Sequence, residues 1–255
     1  MLNIIINGDD LGCSRACNNA IFRLMALGKI SSSTLMANSP HFLDAVQRAK
    51  QFPQCSFGVH LNISQFEPLT SIEIFKKHHL ITPRNQFCFR KFILPTPRLM
   101  RAIQGEWHAQ VARVIDHGLP ISHFDSHHHV HTRLWLSPIL KFLKQRFNIK
   151  KIRTKFGRFR YSRRGSLLRR LVRQGREFSH RFIQHRCLGF KTPDHFTDIH
   201  DGIEFFSTHT LVQPLTVELM CHPGVRGFKS DLTLLLSDYE SGIRTPHRLI
   251  SYNEL

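Results

Sequence analysis

The chain has 255 residues, long enough to bury a full hydrophobic core as one α/β domain or two small ones. Its hydrophobic content of 41% is ordinary for a soluble protein, and no apolar run reaches the ~18 residues of a membrane-spanning helix. The formal net charge of +18 suggests anionic surroundings, such as nucleic acid, a phospholipid surface or an acidic substrate.

Residues 1–62 alternate between apolar strands and amphipathic helices. We expect strands at 2–7, 31–37 and 56–62, with helices at 17–27 and 42–49 between them. The isoleucine-rich first strand is typical of a buried parallel strand. This βαβαβ alternation predicts a parallel sheet wrapped by helices.

The pattern is less regular from residue 63 to residue 100, and we interpret this part as a long insertion over the strand ends. Further helices are predicted at 100–117, 134–147 and 232–243, and further strands at 119–124, 150–154, 215–221 and 249–252. No internal repeat or low-complexity linker divides the chain, so we expect a single domain over residues 1–255.

The six cysteines are scattered and show neither a disulfide framework nor a zinc-knuckle spacing. This usage predicts reduced thiols and a cytoplasmic location. The chain opens directly on the first strand, where Asp9 and Asp10 interrupt any hydrophobic region. We therefore expect no secretory signal.

Residues that bind metals and transfer protons stand at the ends of several predicted strands. Asp9 and Asp10 end the first strand, His60 ends the third, and His222 follows the strand at 215–221. The segment Asp125-Ser126-His127-His128-His129-Val130-His131 follows another strand. Because the carboxyl ends of parallel strands meet at one face of a barrel, we expect these side chains to meet there.

Three of these side chains match a catalytic metal site, which needs about three protein ligands and an open position for water. Asp10, His60 and His127 would supply one carboxylate and two imidazoles. This set suits Zn²⁺, Mn²⁺, Fe²⁺ or Co²⁺ better than Mg²⁺, which prefers oxygen ligands. Water bound to such an ion becomes acidic and attacks a carbonyl.

Three more side chains have expected roles around that metal. Asp9, beside the ligand Asp10, is placed to take the proton of the water. His222 would protonate the leaving group or polarise the oxyanion. Asp125 would orient a ligand histidine from behind.

Four motifs of the chain resemble those of the YdjC-like carbohydrate deacetylases. They are Asn7-Gly8-Asp9-Asp10-Leu11-Gly12, Gly58-Val59-His60-Leu61-Asn62, Asp125-Ser126-His127-His128-His129-Val130-His131 and Met220-Cys221-His222-Pro223-Gly224. They stand in the family's order and span residues 7–224. The one departure is Gly8, where alanine is commoner. The histidine-rich motif is specific by itself, and the others are specific together.

The resemblance implies a distorted, TIM-like (β/α) barrel, related in mechanism to the NodB-type polysaccharide deacetylases. It implies metal-dependent hydrolysis of an N-acetyl group on an amino sugar, in an oligosaccharide or a glycolipid, to acetate and a free amine. It assigns the metal to Asp10, His60 and His127, with Mg²⁺ as the family's usual ion. It also makes Asp9 the base and His222 the acid.

Two further residues enter through the same resemblance. His131 stands four residues after His127, the spacing of the histidine pair in NodB-type enzymes, and is therefore a reserve ligand. Arg153 ends the predicted strand at 150–154 and resembles a family position that faces the site, which predicts contact with the substrate. A solvated arginine is the equally open alternative. Dimers are common in the family, which leaves a homodimer open, but no stretch of this sequence specifies one.

Residues 155–191 are dominated by arginine and lysine, with Glu177 the only acid, and apolar residues between 167 and 172 are spaced for one helical face. We interpret this segment as a basic amphipathic insertion. It either covers the barrel as a solvated helix or contacts an anionic membrane, where each basic residue adds ~1 kcal/mol. Its aromatic residues form no recognisable RNA-binding motif, so we expect no specific nucleic-acid partner.

Two other function classes stay open on these residues. A metal-dependent phosphoesterase would use Arg153 and the basic stretch as phosphate clamps, and phosphate release in place of acetate release would identify it. A non-catalytic membrane- or nucleic-acid-binding protein would use the barrel as a scaffold. Unchanged biological activity of the Asp9→Asn and His222→Ala variants would favour that scaffold.

Overall fold

The computed structural model describes residues 1–88, 95–154 and 188–255. The strands of these residues are β1 (Leu2–Leu11), β2 (Ser32–Leu35), β3 (Ser56–Leu61), β4 (Phe124–Ser126), β5 (His195–Asp198), β6 (Leu215–Cys221) and β7 (His247–Leu249). The α-helices are α1 (Arg15–Ala26), α2 (Phe42–Ala49), α3 (Glu73–Lys77), α4 (Pro97–Asp116), α5 (Ser137–Phe147), α6 (Ile199–Thr208) and α7 (Lys229–Leu236). Short 3₁₀ turns cover His127–Thr132, Leu134–Leu136, Tyr239–Gly242 and Tyr252–Glu254.

Six of the strands form a curled, parallel half-barrel in the order β4-β3-β2-β1-β6-β5, with the helices around it. The central strand β1 is buried along almost its whole length, as expected for a strand covered on both faces. Strand β7 also runs parallel to β1, opposite Leu2, Asn3 and Ile4. The predicted α/β, TIM-like barrel is confirmed.

Single backbone bridges continue the pairing beyond β4. Phe124 pairs with Ile152, and Lys151 pairs with Lys191, which lies four residues before β5. Two hydrogen bonds, from Phe124 N–H to Lys151 O and from Arg153 N–H to Phe124 O, hold this edge. The predicted strand at 150–154 is therefore present only as bridges, and it places Arg153 beside β4.

Several predicted elements have different bounds in the structure; the strand predicted at 249–252, for example, is β7 at His247–Leu249. The strand expected from the apolar run at 119–124 begins only at Phe124, and β4 continues into Asp125 and Ser126. Before it, the Ser122 N–H and the His123 carbonyl oxygen already hydrogen-bond to β3. The helix predicted at 232–243 ends at Leu236, where the Ser237 hydroxyl donates to the Leu234 carbonyl and competes with the helix.

Strand β5 and helix α6 were not predicted. β5 has only four residues, and its first and last, His195 and Asp198, are polar, so neither strand periodicity nor an apolar run marks it. Asp198 caps α6 by accepting the N–H of His200 at 2.9 Å. That capping aspartate was the available signal in the sequence.

The two segments interpreted as insertions are only partly described. Residues 63–88 contain the short helix α3 and a bridge between Ile81 and Phe87, while residues 89–94 lie outside the described residues. The predicted basic insertion at 155–191 lies outside them except for its last four residues. Among the described helices, none is both long and apolar enough to cross a membrane.

Candidate metal site and catalytic residues

The candidate residues lie at the carboxyl ends of four parallel strands. β1 carries Asp10, β3 carries His60, and His127 and His222 directly follow β4 and β6. Because these strands run in the same direction in one sheet, their ends open on the same side of the half-barrel. The structure therefore brings together residues that are more than 200 positions apart in sequence.

Asp10, His60 and His127 form a compact group, which we call the imidazole cluster. Asp10 Oδ1 lies 3.1 Å from His60 Nε2 and 2.9 Å from His127 Nδ1. One potential ligand atom from each residue lies within 4.8 Å of the other two. Asp10 and His60 are buried, whereas the His127 side chain keeps 14% of its surface exposed. The cluster therefore opens towards solvent at His127.

The geometry around Asp10 fits a cation better than it fits hydrogen bonds. Within the described residues, Asp10 Oδ1 is buried and has no partner in hydrogen-bond geometry, although two ring nitrogens lie close to it. Hydrogen bonds weaken steeply off their axis, whereas a metal ion accepts lone pairs that point to a common position. Asp10 also has a left-handed backbone (φ 64°), a conformation that concentrates at functional sites when a non-glycine residue adopts it.

The Asp10 carboxyl stays ionised in this setting. Burial by itself would raise the pKa of Asp10, but the contacts with His127 and His60 hold that pKa well below its usual value. A carboxylate that stays charged while buried is the form that ligates a divalent cation. The residues of the cluster therefore fit such an ion.

Asp125 lies behind His60 and orients it. Asp125 Oδ1 is 2.7 Å from His60 Nδ1, and the Thr34 hydroxyl donates to Asp125 Oδ2 at 3.0 Å. Burial lowers the pKa of His60, but Asp125 and Asp10 outweigh burial and raise that pKa well above its usual value. Since Nδ1–H points to Asp125, Nε2 is the nitrogen that faces Asp10. Asp125 therefore contacts the ring nitrogen of His60 that does not face Asp10, and its role in orienting a ligand histidine stays a prediction.

Arg153 is fully buried and contacts three carboxylates, a group that we call the arginine network. Its guanidinium donates to both oxygens of Asp9, at 2.7 and 2.5 Å, and to Glu218 at 2.8 Å. Arg153 Nη1 also lies 2.8 Å from Asp125 Oδ2, and the ring of Phe196 lies under the guanidinium, 5.0 Å away. The charged end of Arg153 is enclosed by protein, and its expected contact with the substrate stays a prediction without support from this geometry.

A second set of side chains, which shares His60 with the imidazole cluster, is less suitable for a metal. Asp9, His60 and Asp125 also offer ligand atoms within 4.8 Å of one another. Both of these carboxylates already face the Arg153 guanidinium, and a cation there would meet its positive charge. The imidazole cluster is therefore the better position for an ion.

Asp9 and His222, the expected base and acid, lie side by side. His222 Nε2 is 3.9 Å from Asp9 Oδ2, and the Asn7 amide donates to Asp9 Oδ1 at 2.8 Å. Burial would raise the pKa of Asp9, but the Arg153 guanidinium outweighs burial and lowers that pKa far below its usual value. Asp9 is therefore a carboxylate at every pH near neutrality.

The loop after β6 holds His222 in place. The backbone N–H of His222 donates to Asp231 Oδ2 at 2.8 Å, and the Phe228 ring packs 4.3 Å from the imidazole. Gly224 has φ 76°, and a Cβ there would lie 2.5 Å from the carbonyl oxygen of Ala16. The glycine of this motif is thus required by a close approach of two backbone segments.

The other histidines of the motif at 125–131 contact residues outside the imidazole cluster. His131 Nδ1 lies 2.5 Å from Ser126 Oγ, and His131 Nε2 lies 3.2 Å from the carbonyl oxygen of Arg153. No metal-type group in the described parts of the chain includes His131. Both ring nitrogens thus have other partners, and the role of His131 as a reserve ligand stays a prediction without support from this geometry. His128 and His129 both adopt left-handed backbones with φ 53°, which turns the chain sharply after His127.

The sequence analysis did not identify three buried residues of the site, which are Glu218, Tyr252 and His123. Glu218 accepts the Tyr252 hydroxyl at 2.5 Å, and the His123 ring stacks on the Tyr252 ring at 3.5 Å. Burial raises the pKa of Glu218 to about 7, more than Arg153 lowers it. A lone acid inside the apolar strand at 215–221 was the signal that could have identified Glu218.

Comparison with known proteins places these residues in a family. The sequence model of the YdjC-like protein family matches residues 3–245. A carbohydrate deacetylase of Halalkalibacterium halodurans is 33% identical over 158 residues, which cover 61% of this chain and 65% of that protein. A carbohydrate deacetylase of Vibrio cholerae is 34% identical over 149 residues, with 58% and 57% covered. The chain thus matches less than two thirds of the length of these two relatives.

Two further similarities extend over most of the chain. A carbohydrate deacetylase of Vibrio vulnificus is 29% identical over 228 residues, which cover 88% of this chain and 79% of that protein. A solved structure from Enterococcus faecalis, described as a cellobiose-phosphate cleavage protein, superposes with a TM-score of 0.72 at 20% identity and covers 99% and 98% of the two chains. That likeness concerns the fold alone. Because the family model spans nearly all of the sequence, the chain belongs to the YdjC-like protein family.

Proposed function

We propose that this protein is a metal-dependent hydrolase that removes an N-acetyl group from an amino sugar, in an oligosaccharide or a glycolipid. The observation that carries the proposal is the convergence of Asp10, His60 and His127 beside Asp9 and His222. Relatives named carbohydrate deacetylases, at 29–34% identity, support the reaction class. The products would be acetate and a free amine on the sugar.

Asp10, His60 and His127 would hold the ion. A divalent metal supplies Lewis acidity, which makes a bound water acidic and polarises a carbonyl oxygen. Two imidazoles and one carboxylate suit Zn²⁺, Mn²⁺, Fe²⁺ or Co²⁺ better than Mg²⁺, the ion implied by the family resemblance. Because the pKa of His60 is raised, we expect ion binding to release a proton from this ring.

Asp9 is proposed as the base that takes the proton of the attacking water. Arg153 keeps Asp9 ionised and fixes both of its oxygens, at some cost in basicity. His222 is proposed as the acid. Attack by water on the acetyl carbon is followed by cleavage of the C–N bond, and His222 gives its proton to the leaving nitrogen.

The two alternative functions receive less support. A phosphoesterase that clamps phosphate with Arg153 is disfavoured, because that guanidinium is buried among Asp9, Asp125 and Glu218. A non-catalytic scaffold has no need for a buried carboxylate held between two imidazoles in a left-handed backbone, a costly arrangement.

The test is acetyl loss from candidate substrates. Protein stripped of metal and reloaded with Mg²⁺, Mn²⁺, Zn²⁺ or Co²⁺ is incubated with N-acetylglucosamine oligomers and with N-acetylated glycolipids, and mass spectrometry follows the products. We expect loss of one acetyl group, which chelation abolishes. The Asp9→Asn and His222→Ala variants should be ~10²–10⁴-fold slower. The exposed Asp116→Asn variant is the matched control. Absence of acetyl loss with every ion, or full activity of Asp9→Asn, contradicts the proposal.

Four associations stay predictions: a cytoplasmic location, contact of residues 155–191 with an anionic membrane, absence of a specific nucleic-acid partner, and a homodimer. Flotation with anionic and neutral liposomes tests the membrane contact, and equal absence of binding to both removes it. Light scattering of the purified protein measures the oligomeric state.

A further inference from the structure

Three of the five cysteines among the described residues surround the end of β1 that carries Asp9 and Asp10. The Cys17 sulfur lies 3.4 Å from the carbonyl oxygen of Asp10, and the Cys221 sulfur lies 3.4 Å from that of Asn7. Cys13 follows the same motif directly and begins the turn into α1. None of these thiols has a role in the proposed hydrolysis.

Cys13 and Cys17 together hold the backbone of Asp10. The Cys13 N–H donates to the Asp10 carbonyl oxygen at 2.9 Å, and the Cys17 thiol approaches the same oxygen. Asp10 is the residue with the left-handed backbone in the imidazole cluster. Its orientation therefore depends on two donors that both come from cysteines.

The two cysteines also meet at Ser14 and differ in access. The Cys13 sulfur lies 3.9 Å from the Ser14 hydroxyl oxygen, which accepts the Cys17 N–H at 3.1 Å. Cys17 is fully buried, whereas Cys13 is partly exposed. An exposed thiol backed by a second, buried thiol is the arrangement of an attacking and a resolving cysteine.

We propose that Cys13 and Cys17 are a peroxide-sensitive thiol pair whose oxidation to a disulfide weakens metal binding by Asp10. The inference extends beyond the proposed hydrolysis, and only its metal readout depends on the proposed ion site.

The chemistry needs only a peroxide as oxidant. The Cys13 sulfur attacks one peroxide oxygen, the O–O bond breaks, and one water leaves with the thiol proton, which yields a sulfenic acid. The Cys17 sulfur then attacks the Cys13 sulfur, the S–O bond breaks, and a second water leaves with the Cys17 proton. The two thiols lose two electrons, and the peroxide is reduced to two waters.

The expected consequence follows from the lost donor. A disulfide has no S–H, so the Asp10 carbonyl oxygen keeps the Cys13 N–H and loses the Cys17 thiol. The turn between Cys13 and Cys17 must also adjust to the new bond. Loss of a supporting contact to a ligand typically reduces metal affinity about 10- to 100-fold, and we expect that range here.

The experiment has two readouts. The full chain, before and after hydrogen peroxide, is digested without reduction, and mass spectrometry identifies linked Cys13 and Cys17. Mn²⁺ affinity is measured by calorimetric titration on the same samples. Mn²⁺ is the probe because thiolates prefer softer ions, so a change reports on the imidazole cluster. We expect the disulfide, weaker Mn²⁺ binding, and recovery of both with dithiothreitol.

Two variants complete the test. Cys13→Ser removes the attacking thiol and should keep its Mn²⁺ affinity under peroxide, while Cys88→Ser, a partly exposed cysteine elsewhere, should behave like the unmodified chain. Absence of a Cys13–Cys17 disulfide overturns the inference, as does a disulfide that leaves Mn²⁺ affinity unchanged. Equal sensitivity of Cys13→Ser also overturns it. The disulfide readout does not involve acetyl release, so failure of the proposed hydrolysis is a separate result.

Discussion

Asp9 and Asp10 are neighbours in sequence, yet they belong to regions with different electrostatics. In the arginine network, both oxygens of Asp9 accept hydrogen bonds from Arg153, and the same guanidinium contacts Asp125 and Glu218. In the imidazole cluster, Asp10 Oδ1 lies between two ring nitrogens without hydrogen-bond geometry to either. One region contains its own counter-ion, and the other is arranged for a cation from outside.

This difference explains how one site can combine rigidity with ligand binding. A buried charge is tolerated when it is paired and hydrogen-bonded, so the arginine network can form during folding without metal. The imidazole cluster is supported from behind by that network, because Asp125 contacts both His60 and Arg153. The geometry of the candidate metal site therefore depends on the arginine network.

The largest expected effect comes from removing the internal counter-ion. Arg153→Met leaves three buried carboxylates without their shared cation, and we expect a loss of about 3–5 kcal/mol in the free energy of unfolding. Urea unfolding measures it. Arg23→Met, at an exposed position of α1, is the control and should change stability by no more than ~0.5 kcal/mol. A loss below ~1 kcal/mol for Arg153→Met would show that the network does not need the guanidinium.

The arginine network should also respond to pH through Glu218. Its pKa is about 7 in the folded protein against 4.5 ordinarily, so between these values the folded state holds a proton that the unfolded chain releases. The contribution of Glu218 to the free energy of unfolding is therefore fully present below pH 4.5. It falls by about 3 kcal/mol as the pH rises through 7. Urea unfolding at pH 5 and pH 8 should show this loss in the unmodified chain.

Glu218→Gln should remove that part of the pH dependence, and Glu204→Gln, exposed on α6, should retain it. If the two variants follow the same pH curve, the raised pKa of Glu218 is not the cause.

A third expected effect separates the imidazole cluster from the arginine network. With Mn²⁺ at about 100 times its dissociation constant, the unmodified chain should gain about 2.7 kcal/mol of stability. His127→Ala removes one ligand and should lose this gain, whereas His128→Ala, at the adjacent residue outside the cluster, should keep most of it. Thermal unfolding with and without the ion measures both. Equal gains in the two variants would place the ion elsewhere.

The smallest expected effect concerns the packing of Gly58 against the stacked rings of His123 and Tyr252. A Cβ on Gly58 would lie 2.6 Å from His123 Cε1, and that ring is held against Tyr252 on its stacked face. Gly58→Ala should therefore cost ~1–3 kcal/mol through overpacking. Gly105→Ala, in α4 with no atom within 4 Å of the added carbon, should instead stabilise by up to ~1 kcal/mol. Urea unfolding of both variants tests the contrast, and no loss for Gly58→Ala would contradict it.

Local patterns predicted the elements that carry most of the site. The apolar runs of β1, β3 and β6 end beside Asp10, His60 and His222, and parallel strands open on one side. The structure does bring these residues together with His127. Short or polar elements were not predicted, as with β5, because four residues carry too little periodicity to identify a strand.

Long-range contacts were beyond any local pattern. The sequence left Arg153 open between substrate contact and a solvated position, and it made His131 a reserve ligand. In the structure, Arg153 lies in a buried network and His131 contacts a backbone carbonyl oxygen. Arg153 and Asp9 are 144 residues apart, so their contact depends on which strands pair and in which register. Spacing within a motif cannot report such a pairing.

The sequence by itself determined the residue types at the strand ends and the order in which they occur, because hydrophobic periodicity and motif identity are local properties. Only the tertiary structure decided which carboxylate meets arginine and which meets imidazole. Asp9 and Asp10 differ by one position in the chain, and the left-handed backbone at Asp10 sends their side chains into different surroundings. Burial by itself would raise the pKa of both carboxyl groups. The Arg153 guanidinium lowers the pKa of Asp9, and the two imidazoles lower that of Asp10, so both stay charged.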